Sequence, residues 1–443
     1  MTQSPHAAPR KKQSMRAVGA AALAGSALEW YDFFLYGAAA ALVFNELVFP
    51  NSSPVAGTMQ AFATYAVGFL IRPLGGMFFG NLGDRIGRKR VLVFTLVLMG
   101  AATIGIGLLP GYAAVGVWSP VLLVLLRLLQ GFGAGAEYGG AAIMAVEHAD
   151  PRHRGLQGSW PAIGVYLGLL MSSGAFAAAS ALPDAQFMSW GWRLPFLASG
   201  VIIVLGLVIR SKLAETPAFE RLEGSGEKVK LPVGTMLRKE WRPLLIVIGA
   251  ICAQNGVSYT YQTFSLTYIA DYLHLPEGLG LTGVSIAATV ALVATPLFGA
   301  LSDRIGRRPV FIGGAIFSGL FAFPFFALLE TRNTGAVLFA MVVGIAIGIG
   351  AMFGPQGAFF AELFSARVRY SGFGMGREIG GAVVGGFAPL IAVALLEATG
   401  GYRSVCLFLI ATCVVTVIAV SRARETRGID TTAPVTTPTV ASD

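Results

Sequence analysis

Apolar residues in this chain gather into twelve long runs separated by short polar stretches. The runs fall near 17–44, 57–79, 91–109, 117–146, 157–182, 192–210, 243–270, 280–300, 309–329, 335–361, 370–396 and 402–421. A helix needs roughly 20 apolar residues to span a bilayer core. The alternation of membrane β-strands is absent, so each run reads as a helix. The pattern predicts an all-α polytopic membrane protein. Six runs precede a polar segment at 211–242, where acids and bases interleave, and six follow it. The expected organisation is a cytoplasmic tail at 1–16, an N-terminal six-helix bundle at 17–210, a cytoplasmic linker at 211–242, a C-terminal six-helix bundle at 243–421 and a cytoplasmic tail at 422–443. Beyond Arg427 the tail is Thr/Pro-rich and reads as disordered.

The two halves repeat each other. GNLGDRIGRKR at 80–90 matches GALSDRIGRRP at 299–309, each between the second and third runs of its half. Glu147 is followed by Arg152 and Arg154, and Glu362 by Arg367 and Arg369 at the same spacings. Repetition on this scale predicts two pseudo-symmetric bundles with a binding site at their interface. In the first repeated turn, Gly83 and Gly87 are expected to permit the bends, and Asp84 to cap a neighbouring helix N-terminus. Arg85, Arg88, Lys89 and Arg90 are expected to pair with Glu147 and with anionic lipid heads. Basic turns that only anchor topology are the plainer reading, but they do not explain an ordered Asp-Arg-x-Gly-Arg pattern occurring twice. Gly80, Gly83, Asp84, Arg85, Gly87, Arg88 and Glu147, with Asp303, Arg304, Gly306, Arg307 and Glu362, are therefore candidates for cytoplasmic latches that hold an outward-facing state.

Composition narrows the class. Hydrophobic residues make up 55% of the 443 positions and charged residues 12%, against about 25% charged in soluble domains. The net charge of +9 invites a nucleic-acid reading, but 26 of the 32 Lys and Arg fall in tails and loops that share one side. The other side carries Glu46, Asp184, Glu277, Glu330 and Glu397. This is the positive-inside asymmetry. It predicts a multi-pass protein of the cell inner membrane with both termini cytoplasmic, and no nucleic-acid partner. Arg10, Lys11, Lys12 and Arg16 before an Ala-rich stretch look like a signal peptide, but the apolar run continues past Tyr36 to Phe44, which argues against cleavage. Cys252, Cys406 and Cys413 lie inside runs without disulfide or metal spacing. The four His residues sit in the tail, in loops or at a helix end, and no nucleophile, metal or phosphate-binding set accompanies them. No enzyme, cofactor or metal is expected.

Seven ionisable residues fall within runs and away from their ends: Glu29, Asp32, Arg72, Arg127, Glu137, Arg377 and Glu378. Each costs at least about 2.5–3.5 kcal/mol at a helix centre, so each is a functional candidate. Gly25, Glu29, Asp32 and Tyr36 share one helical face. Burial disfavours the charged form of a carboxyl, which makes Asp32 and Glu29 candidate proton carriers; permanent pairing with Arg72 or Arg127 is the alternative. In the fourth run Arg127, Gln130, Ala134, Glu137 and Tyr138 form a stripe, and the planar fork of Arg127 suits an anion. The nearby glycines read as packing sites. In the eleventh run, adjacent Arg377 and Glu378 point about 100° apart. Arg377 is expected to anchor substrate and Glu378 to pair locally, since both cannot face the cavity centre. In the seventh run Asn255, Tyr259 and Gln262 share a face that would be costly in lipid. The candidate proton-coupling set is Asp32, Glu29, Glu137 and Arg127. The candidate substrate set is Tyr36, Arg127, Gln130, Tyr138, Asn255, Tyr259, Gln262 and Arg377.

The repeated turns resemble the signature loop of the major facilitator superfamily. SALEWYDFFLYG at 26–37, FLIRPLGG at 69–76, RLLQGFGAGAEYGG at 127–140, GWRLPF at 191–196, LFSARVRYSG at 363–372 and GREIGG at 376–381 resemble its metabolite:H+ symporter family. The likeness covers nearly the whole chain outside the tails and is nearest to shikimate and related organic-acid transporters. It implies proton-coupled symport of a small organic anion by alternating access, with protons as coupling ion, no cofactor and action as a monomer in the bilayer. Arg127 matches the helix-4 arginine that the family ties to proton coupling. Two rivals stand beside this reading. Zwitterionic compatible-solute symporters of the proline/betaine type often add a long coiled-coil tail, whereas only 422–443 follow the twelfth run here. Efflux antiporters carry a helix-5 motif resembling G-x-x-x-G-P-x-x-G-G, whereas 155–164 reads GLQGSWPAIG, without the glycine before its proline.

Overall fold

A computed structural model of the chain describes residues 15–51, 54–211, 215–216, 219–220 and 232–429. Residues 1–14 of the expected first tail, residues 212–214, 217–218 and 221–231 of the expected 211–242 linker and the Thr/Pro-rich end after Ile429 lie outside the described residues. Those described are helical, with no strand among them. The spanning units are α1 (Met15–Leu42), α2 (Pro54–Leu70, continuing as Arg72–Ile86), α3 (Arg88–Gly107), α4 (Trp118–His148), α5 (Arg154–Ser180), α6 (Arg193–Ser211), α7 (Trp241–Tyr272), α8 (Glu277–Ile305), α9 (Arg307–Glu330), α10 (Thr334–Leu363), α11 (Arg369–Thr399) and α12 (Arg403–Ser421). Among the described residues, α3 to α12 each meet the length and composition needed to cross a membrane, and α1 and α2 occupy the first two expected runs. Leu320, Leu390, Val201, Leu297 and Trp118 stay exposed on the outside of the molecule, where lipid would cover them.

Within the first bundle α1 lies along α5. A Cβ on Gly164 would stand 2.5 Å from the Leu23 carbonyl oxygen, and one on Gly168 2.5 Å from that of Ala27. Small residues are what permit such backbone contact. In the second bundle α12 packs on α7 and α9, and Thr416 Oγ1 accepts from the Ala253 amide at 2.9 Å and donates to the Gly249 carbonyl at 2.8 Å. Between bundles the contacts pair α2 with α11, α5 with α8, and the second part of α4 with α10 and α11. They gather at the end that carries the two Asp-Arg-x-Gly-Arg segments, hereafter the basic end.

Those segments differ from the expected turns. The α2–α3 connection is Gly87 alone, at φ +109°, and the α8–α9 connection is Gly306 alone, at φ +108°. Both conformations lie where glycine is favoured. Gly80, Gly83, Asp84 and Arg85 belong to the last turns of α2. Gly83 therefore serves contact rather than bending: a Cβ there would run into the Tyr370 ring of α11, and one on Gly80 would lie 2.9 Å from Ser371 Cα.

α2 and α4 are interrupted. Pro73 cannot donate a backbone hydrogen bond, and the α2 break falls at Ile71, just before it. In α4 the helix stops at Ala134 and restarts at Glu137.

Candidate functional site

At the basic end the two repeats reach across to opposite bundles. Asp84 of α2 accepts from the amides of Tyr370 (3.2 Å) and Ser371 (2.9 Å) and from the Ser371 hydroxyl (2.8 Å), capping the start of α11. Asp303 of α8 accepts from the amides of Gly155 (2.8 Å) and Leu156 (2.9 Å), capping the start of α5. A carboxylate at a helix N-terminus satisfies orphan N–H groups and meets the favourable end of the dipole. Glu147 is held by Arg88 at 3.3 Å and by Arg369 of the other bundle at 2.6 Å. Arg88 Nη2 also donates to the Ala366 carbonyl at 3.1 Å. In the second repeat Arg307 holds Asp303 at 2.6 Å and Glu362 at 3.2 Å. Arg85 and Arg304 are exposed and stand outside this network among the described residues.

A further pair at this end escaped the sequence reading. Glu215, after α6, accepts from the amides of Arg88 (3.1 Å) and Lys89 (3.2 Å) at the start of α3. Glu425, after α12, accepts from those of Arg307 (2.9 Å) and Arg308 (3.1 Å) at the start of α9. Thr426 donates to Glu362 at 2.7 Å, and Arg154 of α5 donates to the Ile429 carbonyl at 2.6 Å, joining the segment after α12 to the first bundle. The signal was present in the sequence: Glu-Thr occurs at 215–216 and again at 425–426.

The intramembrane charges sort into three groups. In the first, Asp32 of α1 accepts from the Thr103 hydroxyl of α3 at 2.6 Å, and Gln130 Nε2 of α4 donates to Thr103 Oγ1 at 2.7 Å. Arg127 donates to Gln130 Oε1 and lies 4.3 Å from the Tyr36 ring centre. Tyr36 bonds Thr64 of α2. Asp32 is thus linked to Arg127 through Thr103 and Gln130, and its Oδ1 is buried.

The second group crosses between bundles. Glu29 of α1 bonds Arg72 of α2, whose Nε donates to Glu378 of α11 at 2.8 Å; Glu378 also bonds Arg377. The Arg377 guanidinium lies 4.1 Å from the ring centre of Tyr138 in α4. The long Arg377 side chain folds back onto its neighbour Glu378, which also reaches over to Arg72. Glu29, in turn, has an arginine partner. From α7, Tyr259 meets Phe69 of α2 at 5.9 Å. Asn255 stands beside the backbone of Gly381 and Gly385, and Gln262 donates to Ser258 at 2.6 Å. Asn255, Tyr259 and Gln262 are half-buried, whereas their neighbour Gln254 is buried and accepts from Gln356 at 3.4 Å.

The third group corrects the α4 stripe. Glu137 bonds Arg210 of α6 and accepts from Thr95 of α3 at 2.9 Å, inside the first bundle. It does not join Arg127 and Gln130, because the break between Ala134 and Glu137 resets the rotation of the second segment. Tyr138 turns instead toward the second bundle, its ring 5.8 Å from that of Phe353 in α10. Arg210, at the end of its apolar run, is buried.

Comparison with known proteins bears on the family and the fold. The model of the Major Facilitator Superfamily matches residues 22–383, and matches again over 246–440. The chain is 40% identical to the shikimate transporter of Escherichia coli, over 88% of this chain and 90% of that one. It is 40% identical to the inner membrane metabolite transport protein YhjE of the same organism, over 92% and 93%. It is 35% identical to the proline/betaine transporter of Salmonella typhimurium, over 93% and 83%. Among solved structures it resembles the proton:xylose symporter XylE bound to 6-bromo-6-deoxy-D-glucose, with a TM-score of 0.73 at 19% identity over 94% of this chain and 97% of that one. It also resembles the partially occluded inward-open form of XylE from Escherichia coli, with a TM-score of 0.66 at 18% identity over 94% and 99%. The twelve spanning units among the described residues, the repeated Asp-Arg-x-Gly-Arg segments and these relatives agree, and the chain belongs to the major facilitator superfamily of membrane transporters.

Proposed function

We propose that this transporter couples uptake of a small carboxylate-bearing metabolite, of the shikimate type, to entry of a proton by alternating access. The observation that carries the reading is the buried chain from Glu29 through Arg72 and Glu378 to Arg377, which crosses from one bundle to the other. A guanidinium fork recognises a carboxylate in two-point fashion. Anchors on both bundles let a bound solute favour one arrangement of the bundles over another. Tyr138, Asn255, Tyr259 and Gln262 would complete the solute site. Asp32 supplies the proton function: its oxygen is held by a hydroxyl rather than by an arginine, so protonation breaks no ion pair. The latches of Asp84 and Asp303 close the basic end, which we read as cytoplasmic. The relative named as a shikimate transporter supports the choice of solute class. Symport of one proton with a monoanion is electroneutral and draws about 1.4 kcal/mol from each unit of pH gradient.

A zwitterionic solute is the second reading, favoured by the 35% identity to a proline/betaine transporter. Uptake of labelled shikimate and labelled proline into proteoliposomes, under an imposed pH or sodium gradient, separates the two. The expected result is shikimate accumulation driven by an acid exterior. Accumulation driven by sodium alone would sink the proton coupling, and uptake of proline alone would sink the carboxylate.

A further inference from the structure

The central charge chain contains its own carboxylate on the guanidinium that the solute is read to use. Glu378 gives one oxygen to Arg72 Nε at 2.8 Å and the other to Arg377, so a single carboxylate spans both bundles. All four members of the chain are buried. Its charges balance, with Arg72 and Arg377 against Glu29 and Glu378. The titratable groups that face Glu378 are Arg377 on its own helix, Arg72 from α2, Glu29 from α1 and Tyr259 from α7. Arg377 retains donor capacity, since its Nε is buried with no partner among the described residues. The Tyr138 hydroxyl, on the ring beneath that guanidinium, is also buried and has none.

We propose that Glu378 is a built-in stand-in for the solute: it occupies Arg377 in the empty carrier, and a solute carboxylate must displace it to bind. The inference rests on the reading of Arg377 as solute anchor. A second anion beside Glu378 would unbalance a compartment where charge is costly, so the two carboxylates compete for Arg377. An internal competitor lowers apparent affinity by the fraction of carriers in which the anchor is free. It also gives the solute a way to leave, because Glu378 takes the arginine back.

A residue that merely props up the site and a residue that competes for it make opposite predictions on removal. In purified transporter in nanodiscs, Glu378→Gln should bind shikimate about tenfold more tightly than the unsubstituted protein. Its affinity for shikimate methyl ester, which lacks the anion, should stay unchanged. In proteoliposome exchange the same variant should show a lower KM and a lower maximal rate, since release becomes slow. Glu378→Asp keeps the charge on an arm too short to bridge both arginines, so it should tighten shikimate binding by a smaller factor; it serves as the test if the Gln variant does not fold. Unchanged or weaker shikimate binding in a folded variant overturns the proposal while leaving Arg377 as anchor. Equal tightening for the ester also overturns it, since competition concerns the anion alone. Failure of the unsubstituted protein to bind shikimate, 2-oxoglutarate, citrate or benzoate overturns both this proposal and the carboxylate reading.

Discussion

Asp32 and Glu29 sit three residues apart on one face of α1, yet their surroundings differ. Glu29 is bound to Arg72, so protonating it would strand a buried guanidinium, whereas Asp32 faces Thr103 and can be neutralised in place. Asp32→Asn should therefore abolish pH-driven accumulation of shikimate and spare counterflow exchange; loss of exchange with retained binding would move the proton role elsewhere. Glu137 and Arg210 form a different kind of pair, enclosed between α3, α4 and α6. Removing one member of a buried ion pair costs about 3–5 kcal/mol, because the other is left uncompensated. Glu137→Gln and Arg210→Met should each lower the Tm sharply. The double variant should recover much of the loss, and additive losses in this cycle would show that the pair is uncoupled. The seven charges were legible in the sequence because each is expensive in a membrane. Their partners were not: spacing along one helix gives a face, but the interruption between Ala134 and Glu137 rotates Glu137 away from Arg127. Arg210 lies at the end of its apolar run, where a loop base and a buried base look alike.

The proposed latches are built at helix ends, so their behaviour can be predicted from helix termini. Asp84 and Asp303 each cap a helix of the opposite bundle, and neither can keep its cap when the bundles part at that end. Gly83→Val would drive a side chain into Tyr370 and hold α2 off α11. A cysteine at that end should then alkylate faster than in the unsubstituted protein, and an equal rate would mean that the α2–α11 contact does not control closure. Glu425, outside the spans, adds a pH dependence. Burial raises its pKa, but the amides of Arg307, Arg427, Arg308 and Thr426 outweigh this and hold the carboxyl below the ordinary glutamate value. A depressed folded pKa gives stability that is complete above the unfolded value and is lost as pH falls through the folded one. Tm should therefore fall with acidification below about pH 4, and Glu425→Gln should flatten that part of the profile. An undiminished slope in the variant would assign the acid sensitivity to another carboxylate. The sequence disclosed the twin Asp-Arg-x-Gly-Arg segments because they repeat almost letter for letter. The twin Glu-Thr caps were overlooked because two residues are too short a repeat to notice until both are seen on equivalent helix starts.

At the scale of the molecule, the contacts between bundles and the basic residues gather at the same end, and this coincidence has a physical basis. Parting the bundles there would break the caps of Asp84 and Asp303 and the pair of Glu147 with Arg369 together, which is the basis for proposing that the end closes as a unit. The opposite end lacks such a lattice among the described residues and instead has tyrosine–carboxylate bonds inside the second bundle, Tyr268 to Glu330 and Tyr272 to Glu397. Charge asymmetry then orients the closed end. Lys and Arg near span ends are retained on the cytoplasmic side, and the sequence reading assigns 26 of the 32 to one side. Single cysteines in a background without Cys252, Cys406 and Cys413 can test this in intact cells. Asp150 and Asn333 are exposed at opposite ends. Asn333→Cys should react with a membrane-impermeant maleimide added outside, while Asp150→Cys should react only after the membrane is opened. The reverse pattern would invert the transporter. It would place the acid-sensitive Glu425 cap outside and turn the proposed uptake of an organic anion into release.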